Sequence, residues 1–144
     1  MQDRKTEYLQ EFQTIFEDVF VKMKKKTGFP KTEYKLATGH IFVLLNLVPD
    51  KVRTATELAN ALGVTSGAVT GLTDKLVSFD LINRVRSEED RRVVQFSLTE
   101  KGMDVVHQVR KDRAQTFVNL FSNLPEEDIV TIVEVFKKLN SVLE

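Results

Sequence analysis

Two adjacent arginines, Arg91 and Arg92, follow Asp90 in the run SEEDRR, which is flanked by β-branched and aromatic residues. Guanidinium groups at such a tip can bind phosphate oxygens or enter a narrow, electronegative groove. Glu88, Glu89 and Asp90 leave the tip close to neutral in bulk. The chemistry therefore requires Asp90 to orient one arginine through a bidentate pair while the other projects. A second group lies upstream. Once Val69, Leu72, Leu76 and Phe79 are assigned inward by helical spacing, the outer face keeps Ser66, Gly67, Thr70, Gly71, Asp74 and Lys75. Glycines and small hydroxyls suit a helix whose backbone lies against another surface, such as the floor of a DNA groove. The alternative is a plain buried helical hairpin carrying two glycines, each at about 1 kcal/mol relative to alanine.

Other chemistry is poorly supplied. His40 and His107 are the only histidines, and there is no cysteine. A chain without cysteine has no disulfide framework, thiol switch or thiolate metal site. No Ser-x-x-Lys, Gly-x-Ser-x-Gly, His-Glu-x-x-His or phosphate-cradling glycine loop occurs. The acid pairs Glu88-Glu89 and Glu126-Glu127 fall at a hairpin tip and a helix start, where solvated charge is the ordinary explanation. These observations argue against an enzyme and call for no cofactor.

The elements that must position the two groups follow from local rules. Thr54 to Glu57 has the form of a capping box, so a helix starts there with Leu58, Ala59 and Leu62 on one face. Gly63 suits a left-handed C-cap, Val64 is expected to plug the turn, and Thr65 is an N-cap for the next helix. Leu81, Ile82 and Val85 lead into the charged tip, and Val93, Val94, Phe96 and Leu98 return from it as a second strand. A helix-turn-helix followed by a basic-tipped hairpin has the shape of a winged-helix DNA reader.

The order TELANALGVTSGAVTGLTDKL, then INRVRSEEDRRVVQFSLTEKG, resembles the multiple antibiotic resistance regulator (MarR) family of bacterial transcription factors. Length and flanking helices fit along the whole chain, while the specific motifs occupy its middle third. The resemblance implies a winged-helix homodimer that binds palindromic operators on double-stranded DNA and often releases them when a small molecule binds. It places Ser66, Gly67, Ala68, Thr70, Gly71 and Lys75 where the recognition helix meets bases and phosphates, and Arg91 and Arg92 at the wing tip. The chain departs from the family pattern in three places. Gly67 stands where a second serine is common, Lys75 where arginine is common, and Ser78-Phe79-Asp80 where Glu-Arg-Gly is usual. Asp80 would then have to adopt the left-handed turn that glycine takes more easily.

A chain of 144 residues supports a single domain, 1–144, with a real core. The expected class is mainly α with a small β-ribbon. The winged helix-turn-helix lobe should span about 33–100, with dimerisation helices at about 3–27 and 103–144. Basic and acidic residues balance at 21 each, so DNA binding must rest on where the charges sit. No apolar run approaches a signal or membrane-span length, which makes the cytoplasm the expected compartment and a membrane partner unexpected. Tyr8, Phe12, Ile15, Phe16, Val19, Phe20 and Met23 recur at helical spacing, and Gly28 and Pro30 should end that helix. A second helix is expected from about Thr32, carrying Leu36, Ile41, Leu44, Leu45 and Val48 and stopping near Pro49. A long helix follows Gly102, and Pro125 starts a last one with Ile129, Ile132, Val133 and Phe136. Terminal helices this amphipathic exceed what a small lobe can cover, so a two-fold homodimer is the expected solution.

Phe12, Phe16, His40 and His107 are the candidate lining of an effector site. A zinc-sensing branch of the resembled family carries histidines in regions matching His40 and His107. Here Lys111 occupies the i+4 position that a helical ligand pair would need, so no metal is assigned. Two other functions stay open beside an effector-gated repressor. One is a metal-responsive regulator on the same scaffold. The other is a winged helix used only for protein contacts, without an operator.

Overall fold

The structure is a computed structural model that describes residues 2–28 and 32–144. Pro30, expected to help end the first helix, lies outside the described residues. The elements run α1 (Gln2–Thr27), α2 (Thr38–Leu45), β1 (Arg53–Thr54), α3 (Ala55–Leu62), α4 (Ser66–Ser78), β2 (Ile82–Arg86), β3 (Val94–Leu98), α5 (Glu100–Phe121) and α6 (Glu126–Val142). The chain is mainly helical, with an antiparallel sheet of order β1-β3-β2. It divides into two compact units, residues 29–113 and residues 1–28 with 114–144.

In the first unit, α3 and α4 start where their caps dictate. The Thr54 hydroxyl accepts from the Glu57 N–H at 3.1 Å, and the Thr65 hydroxyl accepts from the Ala68 N–H at 3.2 Å. Gly63 closes α3 in the left-handed conformation at φ 66°, which a residue with a Cβ adopts only under strain. The expected plug is absent. Val64 is 41% exposed, and the turn is held instead by its backbone N–H donating to the Ala59 carbonyl at 3.1 Å. Along α4, Val69 and Leu76 are buried, Leu72 and Phe79 half-buried, and Thr73 is buried as well. Thr73 tolerates burial because its hydroxyl donates to the Val69 carbonyl at 2.9 Å.

Helix α2 begins at Thr38, later than the apolar pattern from Thr32 implies. Lys35 takes a positive φ of 50°, and its N–H donates to the Thr32 carbonyl, so this stretch is a turn. Ala37 then caps α2 in an extended conformation, and its N–H donates to Nδ1 of His40 at 3.0 Å. His40 thus performs the reciprocal half of a capping box, a task more often given to Glu or Gln.

The core gathers Leu44, Leu47, Leu58, Val69, Leu76, Leu81 and Ile82 with Val106 and Val109 from the first part of α5. Strand β3 pairs with β2 from Arg86↔Val94 to Ile82↔Leu98, and with the two-residue β1 at Arg53↔Phe96. Val93 stays outside the strand, where its N–H donates to the Asp90 carbonyl. That placement resolves the broken alternation at Val93-Val94.

The LTEKG run closes the lobe. The Thr99 hydroxyl accepts from the Gly102 N–H at 2.9 Å and donates to the Asp80 carbonyl at 2.7 Å. A Cβ on Gly102 would overlap the Leu81 carbonyl oxygen, so only glycine permits this approach of α5. Asp80 adopts the left-handed conformation at φ 59° expected where glycine is usual.

In the second unit none of the described residues of α1 or α6 is buried. Tyr8, Phe12, Ile15, Phe16, Val19 and Phe20 of α1 are exposed, as are Ile129, Ile132, Val133 and Phe136 of α6.

Candidate nucleic-acid interface

The outer face of α4 presents Ser66, Gly67, Ala68, Thr70, Gly71 and Asp74, all exposed. Gly67 and Gly71 have no internal reason to be glycine. Neither has a positive φ, a Cβ on Gly71 would meet nothing within 4 Å, and one on Gly67 would only just reach the Thr65 hydroxyl at 4.0 Å. A helix that forgoes about 1 kcal/mol at Gly71 without a packing need keeps its backbone accessible from outside. The Thr70 hydroxyl donates to the Ser66 carbonyl at 3.1 Å, which points it along the helix and leaves its lone pairs available to an outside donor. Lys75 is half-buried, and its ammonium lies 6.0 Å from the centroid of the Phe79 ring. The cation–π contact steadies a long side chain that would otherwise sample many rotamers.

The wing is a turn between β2 and β3. The Ser87 N–H donates to the Val93 carbonyl at 2.8 Å, and the guanidinium of Arg86 donates to the Arg91 carbonyl at 3.1 Å. Asp90 does orient one arginine, but not through a bidentate fork. Its Oδ1 alone accepts from both the backbone N–H of Arg92 at 3.0 Å and Nε of Arg92 at 3.3 Å. The tight turn brings the Arg92 backbone to the carboxylate first, so one oxygen serves both donors. Arg91 is exposed, and no ion pair engages its side chain among the described residues. The free cation at the tip is therefore Arg91.

Two arginines of β2 escaped the sequence reasoning. Arg84 pairs with Asp74 on α4, and Arg86 braces the tip. The signal was the spacing in INRVR, because strand residues two apart share a face.

The four candidate effector residues are divided between the units. Phe12 and Phe16 belong to the unit of terminal helices, with ring centroids 5.8 Å apart. His40 and His107 belong to the lobe. His40 is buried and its Nδ1 is engaged by the Ala37 cap, so its proton sits on Nε2. Burial, reinforced by the charge of Lys75, lowers its pKa below the usual histidine value. His107 is exposed on α5. Among the described residues no group of three or more His, Cys, Asp or Glu is placed to hold a metal ion, and no helix is long and apolar enough to cross a membrane.

Comparison with known proteins gives a consistent picture. A family model described as transcriptional regulator SarA/Rot matches residues 25–109. The HTH-type transcriptional regulator SarZ of Staphylococcus epidermidis is 36% identical over 78% of this chain and 74% of its own length. The HTH-type transcriptional repressor MdtR of Bacillus subtilis is 29% identical over 92% of this chain and 81% of its own. The structure of a MarR family protein from Bacillus stearothermophilus superposes with a TM-score of 0.80, covering 95% of this chain and 96% of that one at 23% identity.

Proposed function

We propose that this chain, which belongs to the SarA/Rot family of transcriptional regulators and shares the winged-helix fold of a MarR family protein, binds a palindromic operator as a homodimer and represses transcription there until a small aromatic or apolar effector releases it. Family membership makes it a regulator of transcription and not an enzyme. The observation that carries the operator claim is the outer face of α4. Its two glycines lack a packing role, and Arg91 stands free at the neighbouring wing. Ser66, Gly67, Ala68, Thr70, Gly71 and Lys75 would meet a major groove, and Arg91 with Arg92 the minor groove beside it. MdtR is named a repressor, which supports the sign of the regulation.

The exposed apolar stripes of α1 and α6 support the homodimer. The lobe at about 33–100 would read DNA, and the helices at about 3–27 and 103–144 would pair two copies. A two-fold pair turns one recognition helix into two and matches a palindrome. A protein that binds an operator would act where the cell's DNA is, in the cytoplasm. Release requires an effector that favours a dimer whose recognition helices are misplaced for adjacent major grooves. Phe12, Phe16, His40 and His107 are the residues proposed to bind it, without zinc.

Selection of genomic fragments at physiological salt tests the operator claim. It should enrich a near-palindrome with half-sites about 34–36 Å apart, bound at roughly 10⁻⁸–10⁻¹¹ M. Enrichment of no sequence would sink it. Titrating the selected complex with phenolic compounds, then with zinc and a chelator, tests the effector. Zinc-dependent binding abolished by both His40→Ala and His107→Ala would replace the aromatic effector with a metal.

A further inference from the structure

Asp74 is the anomaly of the α4 face. It lies four residues after Thr70 and three after Gly71, so it shares their side of the helix. A carboxylate there repels the phosphates that the same face must approach. Its partner is Arg84 of β2, whose guanidinium it binds through Oδ1. Arg84 is fixed from a second direction as well. It stands opposite Phe96 across the ladder, with its guanidinium 5.7 Å from the centroid of that buried ring. The pair remains partly exposed, at 56% for the Asp74 side chain and 40% for Arg84, so it adds little to folding stability.

A second arginine of the same strand serves the wing. Arg86 lies two residues along β2 on the face that carries Arg84, and its guanidinium holds the Arg91 carbonyl at 3.1 Å. Two arginines on one face of β2 thus make separate contacts, Arg84 with the carboxylate on α4 and Arg86 with the backbone of the wing-tip arginine. Each contact is made by a rigid guanidinium and not by a flexible ammonium.

We propose that Asp74 and Arg84 are positioning residues for operator discrimination: the pair sets the wing at a fixed disposition to α4, and Asp74 withholds the Arg84 charge from indiscriminate phosphate binding. The inference rests on the operator-binding function proposed above. Helix and wing must reach their grooves together for an operator to be recognised, whereas a free Arg84 would attract any duplex. The device lowers affinity for random DNA more than affinity for the operator.

Three variants test it: Asp74→Asn, Arg84→Gln and the double substitution. Each is measured against the selected operator and against a random duplex of equal length across a salt series. Asp74→Asn keeps shape and frees Arg84. Its random-duplex salt slope should steepen by about 0.9, which at physiological salt is roughly a five-fold tighter grip. Its operator-to-random ratio should fall by a similar factor. Arg84→Gln leaves Asp74 uncompensated and should weaken both duplexes. The double variant should return the random-duplex slope to that of the wild type without restoring the ratio. An unchanged ratio in Asp74→Asn, or a double variant whose ratio returns to that of the wild type, overturns the proposal. Thermal unfolding of each variant should give an unchanged midpoint, because the substituted side chains are partly exposed. If the unsubstituted protein itself fails to distinguish operator from random duplex, the operator-binding function has failed. If it discriminates and Asp74→Asn discriminates equally, only the role of the pair has failed.

Discussion

Replacing Gly71 with alanine should move stability and DNA affinity in opposite directions. Gly71 lies inside the 13-residue helix α4, its φ is not positive, and a Cβ there would meet nothing within 4 Å. Alanine is favoured over glycine in a helix interior by roughly 0.8–1 kcal/mol. With no clash to offset that gain, the free protein should become about 1 kcal/mol more stable. For a chain of this length the midpoint should rise by about 3–4 °C. Variant and wild type must be compared at one protein concentration, because dimerisation couples to the midpoint. On the operator the new methyl would have to fit between helix backbone and groove. Overpacking of a close interface costs about 1–3 kcal/mol, which is roughly a 5- to 150-fold loss of affinity. Circular dichroism melting reads the first effect, and fluorescence anisotropy on labelled operator reads the second. A raised midpoint with unchanged operator affinity would refute the argument, because the α4 backbone at Gly71 would then not approach DNA. A lowered midpoint would show that the glycine has an internal role after all.

Other perturbations separate the parts. Arg91→Ala should weaken operator binding and flatten its salt slope by about 0.9 for each phosphate it no longer neutralises, whereas Thr70→Ala should relax base preference by about 1–3 kcal/mol at one position; anisotropy over a salt series and a mismatch panel tells them apart. Gly102→Ala should cost about 3 kcal/mol in denaturant unfolding, because its Cβ would overlap the Leu81 carbonyl oxygen where two backbones approach closely. His40 has its pKa lowered in the folded state by burial and then by Lys75, so the unfolded chain takes up that proton first as pH falls below about 6.5. Stability should therefore decline from that pH down to the folded-state pKa. His40→Gln, which keeps an N3 capping acceptor but does not titrate, should flatten the decline in paired unfolding curves.

The helix-turn-helix was legible because its signals are local. Thr54, Gly63 and Thr65 each cap a helix end through bonds within a few residues, and the structure places those caps as the spacing requires. The start of α2 was not legible. Its apolar residues continue a helical pattern back to Leu36, yet Lys35 turns the chain at positive φ and His40 caps the helix from within. A histidine as a capping acceptor has no distinctive spacing. Strand β1 was missed because two residues make no periodic pattern; it exists only through its pairing with β3. Val64 shows the same limit from the other side, since an apolar residue in a turn need not be buried when backbone bonds already close it. The free cation at the wing was narrowed to two arginines by sequence. Choosing Arg91 over Arg92 took the geometry of a turn that delivers the Arg92 N–H to Asp90. The Asp74–Arg84 pair joins residues on different elements, and nothing in their sequence separation announces it.

Hydroxyl-radical footprinting of the operator complex, with wild type and Arg91→Ala side by side, tests the central claim that helix and wing read adjacent grooves of a two-fold site. The wild type should protect a symmetric footprint, with backbone on both sides of two major-groove segments about 34–36 Å apart and a minor-groove protection at each outer edge. Arg91→Ala should lose the outer protections and keep those beside the recognition helices. A footprint without two-fold symmetry, or outer protections that persist in Arg91→Ala, would contradict the account.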